Sequence, residues 1–386
     1  MRDAVIVDAV RTPIGKRNGG LKDVHPVDLS AHVLDALATR TGIDPSVVDD
    51  VIWGCVSQTG EQAVNVGRNA VLAAGWPESV PGTTVDRQCG SSQQAAHFAA
   101  AGVISGQYDV AVAGGVESMT RVPMLITVTN GPGLPYGPRM TDRYDNGLVN
   151  QGISSEIVAD RWGITRETVD RMALTSHERA AAAIDAGRFK GQIAPVDVPD
   201  GDRTRVFDTD EGVRRGGTLE TLGGLKSAFK HGGVTTAGNS SQISDGSGAL
   251  LVMTSEKAAE LGLTPIARFH SFALAGVDPV TMLSGPIPAT RKVLERSGLA
   301  LEDIGAFEVN EAFGTVVAAW LKDLGADPAL LNPNGGAMAL GHPLGGTGAI
   351  LLTKLVHHMA GNGIRYGLQA ICEGGGTANA TILELL

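Results

Sequence analysis

The sequence predicts an α/β fold built from a duplicated unit, and three observations carry that expectation. Short runs rich in Val and Ile alternate with longer Ala-rich segments, the pattern of strands alternating with helices. Two passages far apart in the chain repeat one order of parts. With 386 residues, 43% of them hydrophobic, the chain can bury two cores of similar size, as two domains or as one duplicated unit with an insertion.

The expected strands are Ala4 to Val7, Val51 to Gly54, Val110 to Ala113, Ala249 to Met253, Ala306 to Val309, Leu368 to Cys372 and Ala378 to Leu383. The expected helices include Pro26 to Thr41, Ser91 to Ile104 and Gly345 to Met359. The first repeated passage is DRQCGSSQQAAHFAAAGVISG followed by YDVAVAGGVESM. The second is ALGHPLGGTGAILLTKLVHHM followed by YGLQAICEGGGTANATILEL. Each sets a reactive side chain, Cys89 or His342, before a Gly/Ser-rich entry into an apolar helix, and then adds a strand that meets consecutive glycines. A duplication accounts for the match, and its pseudo-twofold would bring both helix N-termini toward one site. Between the copies, Thr120 to Gly233 is rich in Pro, Gly and charge, the profile of an insertion over a rigid scaffold. The division expected is therefore 1–119 with 234–255 as one half, 120–233 as an inserted loop domain, and 256–386 as the other half.

Composition excludes several functions. A net charge of −10 argues against a nucleic-acid or anionic-membrane surface, which needs a basic patch. No stretch approaches the roughly 18 uninterrupted apolar residues of a membrane span. The opening MRDAVIVDAVRTP carries Asp3 and Asp8 and reads as a strand, not a signal peptide. Three widely spaced cysteines suit free thiols in a reducing cytoplasm. There is no GxxxxGK phosphate loop and no strand-borne GxGxxG, and Arg205 spoils the calcium-loop pattern of Asp200 to Glu211. Asn239-Ser240-Ser241 is a glycosylation sequon only in a secreted protein.

Four residues stand out for chemistry. Cys89 follows a strand-like Thr83 to Val85 and precedes Gly90, Ser91 and Ser92, which open a helix whose N-terminus favours thiolate over a thiol that ordinarily titrates near 8.5. Cys372 ends an apolar strand ahead of Gly374, Gly375 and Gly376, glycines that let backbone amides approach a ligand closely. His342 lies in a Gly-His-Pro run in which Pro343 suits the first helical position. By contrast His357 and His358 read as surface residues, and His97 as a helix-face residue. Asn310 falls between a strand and a helix, as an N-cap or as an amide that holds a water or substrate oxygen.

These residues sit in a pattern that closely resembles the thiolases over essentially the whole chain. The carrying motifs are VDAVRTPIGK near the start, RQCGSS at 87–92, AGNSSQISDG at 237–246, NEAF at 310–313, GHP at 341–343 and CEGGG at 372–376. The resemblance implies a duplicated thiolase fold of five layers, αβαβα, with an inserted loop domain and dimers that pack sheet edges together. It implies that Cys89 is the acylated nucleophile, His342 its activating base and Cys372 a second acid/base. Asn310 would position an oxyanion-hole water, and the amides of Cys89 and Gly374 would form a second oxyanion hole. Ser241, Phe229 and Phe313 would contact coenzyme A, with Arg214 near its nucleotide end. Asp86 stands where many members have asparagine.

By the same resemblance the chain is an acyltransferase that cleaves 3-ketoacyl-CoA with CoA, a reversible Claisen reaction, as a homodimer or homotetramer without metal or organic cofactor. CoA is then a substrate. Other condensing enzymes of this fold lack a second cysteine in a CxGGG setting, and a non-catalytic acyl-CoA-binding scaffold would have lost Cys89, His342 or Cys372. Where acetoacetyl-CoA-specific members carry His-Met, this chain has Asn150 and Gln151. A degradative enzyme for longer, branched or ring-bearing acyl chains such as steroid side chains is therefore expected, with a biosynthetic short-chain acetyltransferase as the alternative.

Overall fold

Seven consecutive buried residues make up the first strand, β1 (Val5–Arg11), and such unbroken burial requires cover on both faces. The computed structural model describes residues 2–144 and 148–386. The first half adds β2 (Asp50–Gly54), β3 (Gly82–Val85), β4 (Val110–Ser118) and β5 (Ser244–Met253). The second supplies β6 (Ala267–Gly276), β7 (Ala306–Val309), β8 (Tyr366–Glu373) and β9 (Thr377–Leu385). They hydrogen-bond in the order β7-β8-β9-β6-β1-β5-β4-β2-β3.

That order contains the duplication. β2 runs parallel to β4, which is antiparallel to β5; likewise β7 runs parallel to β8, which is antiparallel to β9. An isolated parallel bridge from Phe307 to Leu331 stands where β3 stands in the first half. The half-sheets join only through the pairs Val5 with Arg268 and Ile6 with Ala267.

The apolar clusters separate the layers. α1 (Pro26–Thr41) and α2 (Val66–Ala73) bury Val33, Leu34, Leu37 and Val71 against Val5, Val51 and Leu251. Next along the chain come α3 (Ser91–Ser105), α4 (Gln151–Trp162) and α5 (Arg166–Asp185). α6 (Pro286–Ser297) and α7 (Gly314–Leu324) bury Ile287, Val293 and Trp320 against Phe307, Leu368 and Ile382. A third cluster joins Ala95, Ala99 and Val103 of α3 to Leu352, Leu355 and Met359 of α8 (Thr347–Asn362), with Ile6 and Leu250 from one half-sheet and Ala306 and Leu383 from the other. On β1, Val5 faces the outer cluster and Ile6 the central one, the two-residue alternation of a strand. The result is helix, sheet, helix, sheet, helix, with α3 and α8 in the middle.

Residues 120–233 give no strand to this sheet among the described residues, and their hairpin of Val196–Asp200 and Arg203–Phe207 stands apart. One tie to the core is a fully buried pair in which Arg11 donates to both oxygens of Asp210 at 2.7 and 2.9 Å. No helix among the described residues is long and apolar enough to cross a membrane.

Several sequence expectations need correction. β6 was not anticipated, because Arg268, His270 and Ser271 interrupt its apolar run and leave it only partly buried. α8 begins at Thr347, and a 3-10 turn over Leu344–Gly346 precedes it, so Pro343 lies outside the helix in extended conformation. His97 does not sit on an open helix face. Its ring is buried, stacks on Phe272 at 4.8 Å and bonds the Thr381 hydroxyl at 2.7 Å. His357 and His358 are half-buried, and His357 Nε2 bonds the Ala9 carbonyl at 3.0 Å.

The middle layer is tightest where α3 meets α8. A Cβ added at Gly348 would fall 2.1 Å from the backbone nitrogen of Gln93, whereas one at Gly361, in the same helix, would meet nothing within 4 Å. Gly348→Ala should therefore cost about 1–3 kcal/mol by overpacking. Gly361→Ala should instead stabilise by up to about 1 kcal/mol, because only helix propensity changes. Chemical denaturation of both variants checks the opposite signs.

Candidate active site

The first candidate group is set by a turn, not by the helix alone. β3 ends at Val85 and the chain reverses through Asp86, Arg87 and Gln88 before α3 begins at Ser91. Gln88 has φ +48, a left-handed conformation that costs a non-glycine residue of order 1–3 kcal/mol and is retained only when its surroundings enforce it. Ser91 enforces it: its hydroxyl donates to the Gln88 carbonyl at 2.6 Å and accepts from the Arg87 amide at 2.9 Å. Cys89 is thereby held at the mouth of the helix, 4% exposed and packed on Leu351 and Ile371.

The sequence suggested that this helix end favours a thiolate, but burial outweighs it. Desolvation, and then the charge of Glu373, push the Cys89 thiol up to about 12, against the weaker opposing help of a hydrogen bond from Gln151. Burial also pushes His342 down to about 4. The resting pair is thus a thiol and a neutral imidazole, the state from which a histidine acts as a base.

The tautomer of His342 follows from its neighbours. Thr347 has one hydroxyl proton and donates it to the Pro343 carbonyl at 2.8 Å, so it accepts from His342 Nδ1–H at 2.6 Å. The lone pair is left on Nε2, which accepts from Asn310 Nδ2 at 3.3 Å. Gly341 turns the backbone to present the ring; its φ is +114, and a Cβ there would lie 2.3 Å from Ser244 Oγ.

Asn310 is not a helix cap, since α7 starts at Gly314 with Phe313 in that position. Its backbone amide bonds the Ala370 carbonyl at 3.0 Å, which fixes it beside the end of β8. Its Oδ1 is buried with no partner among the described residues, an acceptor able to hold a water. Cys372, at the end of β8, is 1% exposed, and both desolvation and Cys89 raise its thiol well above the ordinary range. Gly375 and Gly376 follow in left-handed conformation. Among the described residues, neither the Cys89 nor the Gly374 amide donates to a backbone carbonyl.

Asn150 and Gln151 play different parts. Asn150 caps α4, its Oδ1 accepting from Ile153 N at 3.0 Å, and is exposed. Gln151 lies near enough to Cys89 to lower its thiol slightly against burial, and its Nε2 lies 3.6 Å from a Cβ built on Gly374. The next residue, Gly152, has room for no side chain because the Phe229 ring occupies that space. Phe229 meets Phe313 edge to face at 6.0 Å, and the Ser241 amide bonds the Ala312 carbonyl at 3.0 Å, so these three residues adjoin the NEAF loop. Arg214 stands apart with an exposed side chain, and its backbone amide donates to His177 Nδ1 at 3.0 Å.

Sequence reasoning missed the groups that hold these parts. Glu117 accepts from the amides of Val56, Ser57 and Gly345 and from Gln62 Nε2, all at 2.8–3.0 Å, and so locks the turn before α8 to the first half. Glu311 does the same for the NEAF loop through Ser176, Asn332 and the Met338 amide. An acidic residue inside an apolar strand, as in VAGGVES, was the available signal. A groove of about 840 Å³ between α5 and α7 is lined by neither a cysteine nor His342.

If Thr347 holds the imidazole, Thr347→Val should remove one net hydrogen bond of about 1 kcal/mol and slow iodoacetamide alkylation of Cys89 roughly five-fold at neutral pH. Thr347→Ser should preserve the rate. Peptide-resolved mass spectrometry follows both.

Comparison with known proteins agrees with this geometry. The family model "Thiolase, N-terminal domain" matches residues 4–256, and "Thiolase, C-terminal domain" matches residues 263–385. The chain is 50% identical over 392 residues to the steroid 3-ketoacyl-CoA thiolase FadA6 of Mycobacterium tuberculosis, covering 100% of this chain and 95% of that protein. It is 42% identical to a 3-ketoacyl-CoA thiolase of Bacillus subtilis, with 100% of each covered. The crystal structure of the Bacillus anthracis acetyl-CoA acetyltransferase superposes with a TM-score of 0.92 at 41% identity, over 100% of this chain and 99% of that one. Two matched domains, whole-length relatives and a shared fold lead to one conclusion: this chain belongs to the thiolase family.

Proposed function

We propose that this thiolase degrades bulky, ring-bearing 3-ketoacyl-CoA thioesters through an acyl group carried on Cys89. The reaction class is thiolytic cleavage, in which CoA splits a 3-ketoacyl-CoA into acetyl-CoA and a shortened acyl-CoA. One observation carries the assignment of roles: two buried cysteines close enough for their charges to oppose each other, with a buried histidine kept neutral and its lone pair on Nε2 next to Asn310.

The steps follow from those states. Cys89 Sγ attacks the 3-keto carbon while His342 Nε2 takes the thiol proton. The oxyanion meets donors already in position, each typically worth about 3–4 kcal/mol when deleted. The bond between C2 and C3 breaks, its electron pair forms the acetyl-CoA enolate, and Cys372 protonates C2. The Cys372 thiolate then removes the proton of incoming CoA, whose sulfur takes the acyl group from Cys89. Cys89 recovers its proton from His342. Every proton is carried by a side chain, so the scheme requires no cofactor beyond CoA as substrate.

Phe229, Phe313 and Ser241 are proposed to hold the pantetheine arm, and Arg214 the nucleotide end. We take 120–233 as the insertion between the halves 1–119 with 234–255 and 256–386. Cytoplasmic location is proposed, as is a homodimer or homotetramer formed along β3, whose outer edge pairs with no described strand. The name of the FadA6 relative supports the ring-bearing substrate.

Brief exposure to acyl-CoA should place the acyl mass on the Cys89 peptide, with ping-pong kinetics. Cys372→Ala should spare this acylation more than turnover, whereas His342→Ala should damage both. An adduct confined to Cys55 or Cys372 would exclude the scheme, and CoA binding without turnover would indicate a scaffold. For the substrate, kcat/KM should favour a ring-bearing 3-ketoacyl-CoA over acetoacetyl-CoA, with pocket walls contributing about 1–3 kcal/mol per methylene-sized change. The reverse preference would return the protein to the short-chain acetyltransferases.

A further inference from the structure

Glu373 has no part in the scheme above, yet it lies against the nucleophile. It is fully buried at the end of β8, one residue after Cys372. Its Oε2 accepts from the Thr377 hydroxyl at 2.5 Å, while its Oε1 has no partner among the described residues. That free oxygen points at Gly90: a Cβ there would sit 1.9 Å from it. A carboxyl so placed touches the first backbone unit of α3, next to Cys89.

We propose that Glu373 is a positioning residue whose neutral carboxyl permits a thiolate on Cys89, and whose ionisation as pH rises withdraws that permission. The proposal rests on Cys89 as the nucleophile. A carboxylate at Gly90 would place a second negative charge beside the developing thiolate and would cancel part of the help from the helix N-terminus. Burial favours the neutral form and pushes Glu373 up to about 8. The Thr377 hydroxyl and Arg87 work the other way and favour the carboxylate, while Asp86 adds to the upward push. Cys89 and Cys372 are the other ionisable groups facing it, and its charge raises both thiols. The Pro279–Ser284 turn against β8 carries no ionisable side chain, and Lys354 of α8 is committed to Glu308 at 3.1 Å. The carboxyl therefore passes from neutral to charged as pH rises through about 8.

The test is the pH dependence of Cys89 alkylation by iodoacetamide in the full-length protein, read on the Cys89 peptide from pH 6 to 10. The rate of Glu373→Gln divided by that of wild type should be constant below pH 7. It should then climb through pH 8 by up to about ten-fold, the change expected when a nearby like charge moves a titration by about one unit. A merely structural role for Glu373 gives a ratio displaced equally at every pH, and that outcome overturns the proposal. Thr377→Val is the second variant, and it decides alone if Glu373→Gln fails to fold. Loss of the hydroxyl favours the neutral acid, so its ratio to wild type should rise near pH 8 and fall back at higher pH. A flat ratio overturns the proposal. Failure of Cys89 to acylate with substrate would instead remove the functional reading while leaving this alkylation result standing.

Discussion

The near-contact of α3 with α8 backbone to backbone is the constraint on which the rest of this molecule depends. At Gly348 there is no room for even a methyl group, and the Ala349 amide donates to Ser92 Oγ at 2.9 Å, so the two helices start side by side. Each helix belongs to a different copy of the duplicated unit. Cys89 precedes one and His342 the other, and the two helices are packed into one middle layer between the half-sheets. The layer excludes water from both groups, and that exclusion sets their proton states.

Burial then becomes the dominant electrostatic influence. It holds the cysteines as thiols and the histidine as a neutral base, so these three groups rest uncharged at neutral pH. Such a site needs donors oriented in advance, because side chains in a packed interior reorganise little as charge appears. The glycines of CEGGG and the elbow at Gln88 serve this end, since both expose backbone amides at positions that no flexible side chain could hold as firmly. Glu117 and Glu311 are buried acids of another kind, each saturated with backbone or side-chain donors, and they lock the loops on which His342 and Asn310 ride. Glu373 differs from them in keeping one oxygen unpaired.

Gln151 begins α4 and reaches the cysteine, whereas Asn150 beside it spends its side chain on the helix cap. One side chain of the pair therefore touches the reacting centre. The Phe229 ring fills the space above Gly152 and stacks toward Phe313, so the insertion and the NEAF loop of the second half share one wall. Contacts across that wall explain why binding and chemistry come from separate stretches of sequence.

The sequence by itself determined the duplication, most of the strands and the bounds of α1, because these depend on local periodicity and on residue types that few other settings require. It also flagged the glycines that the turns demand. Only the tertiary structure decided which polar residues are buried and what each one bonds. His357 read as a surface group and His97 as a helix-face residue until packing enclosed them, β6 was hidden by its half-exposed polar face, and Asn310 was released from capping because Phe313 took that position. The thiolate expected at the head of α3 was likewise overruled, since desolvation is a property of everything packed around a group and cannot be read from its neighbours in the chain.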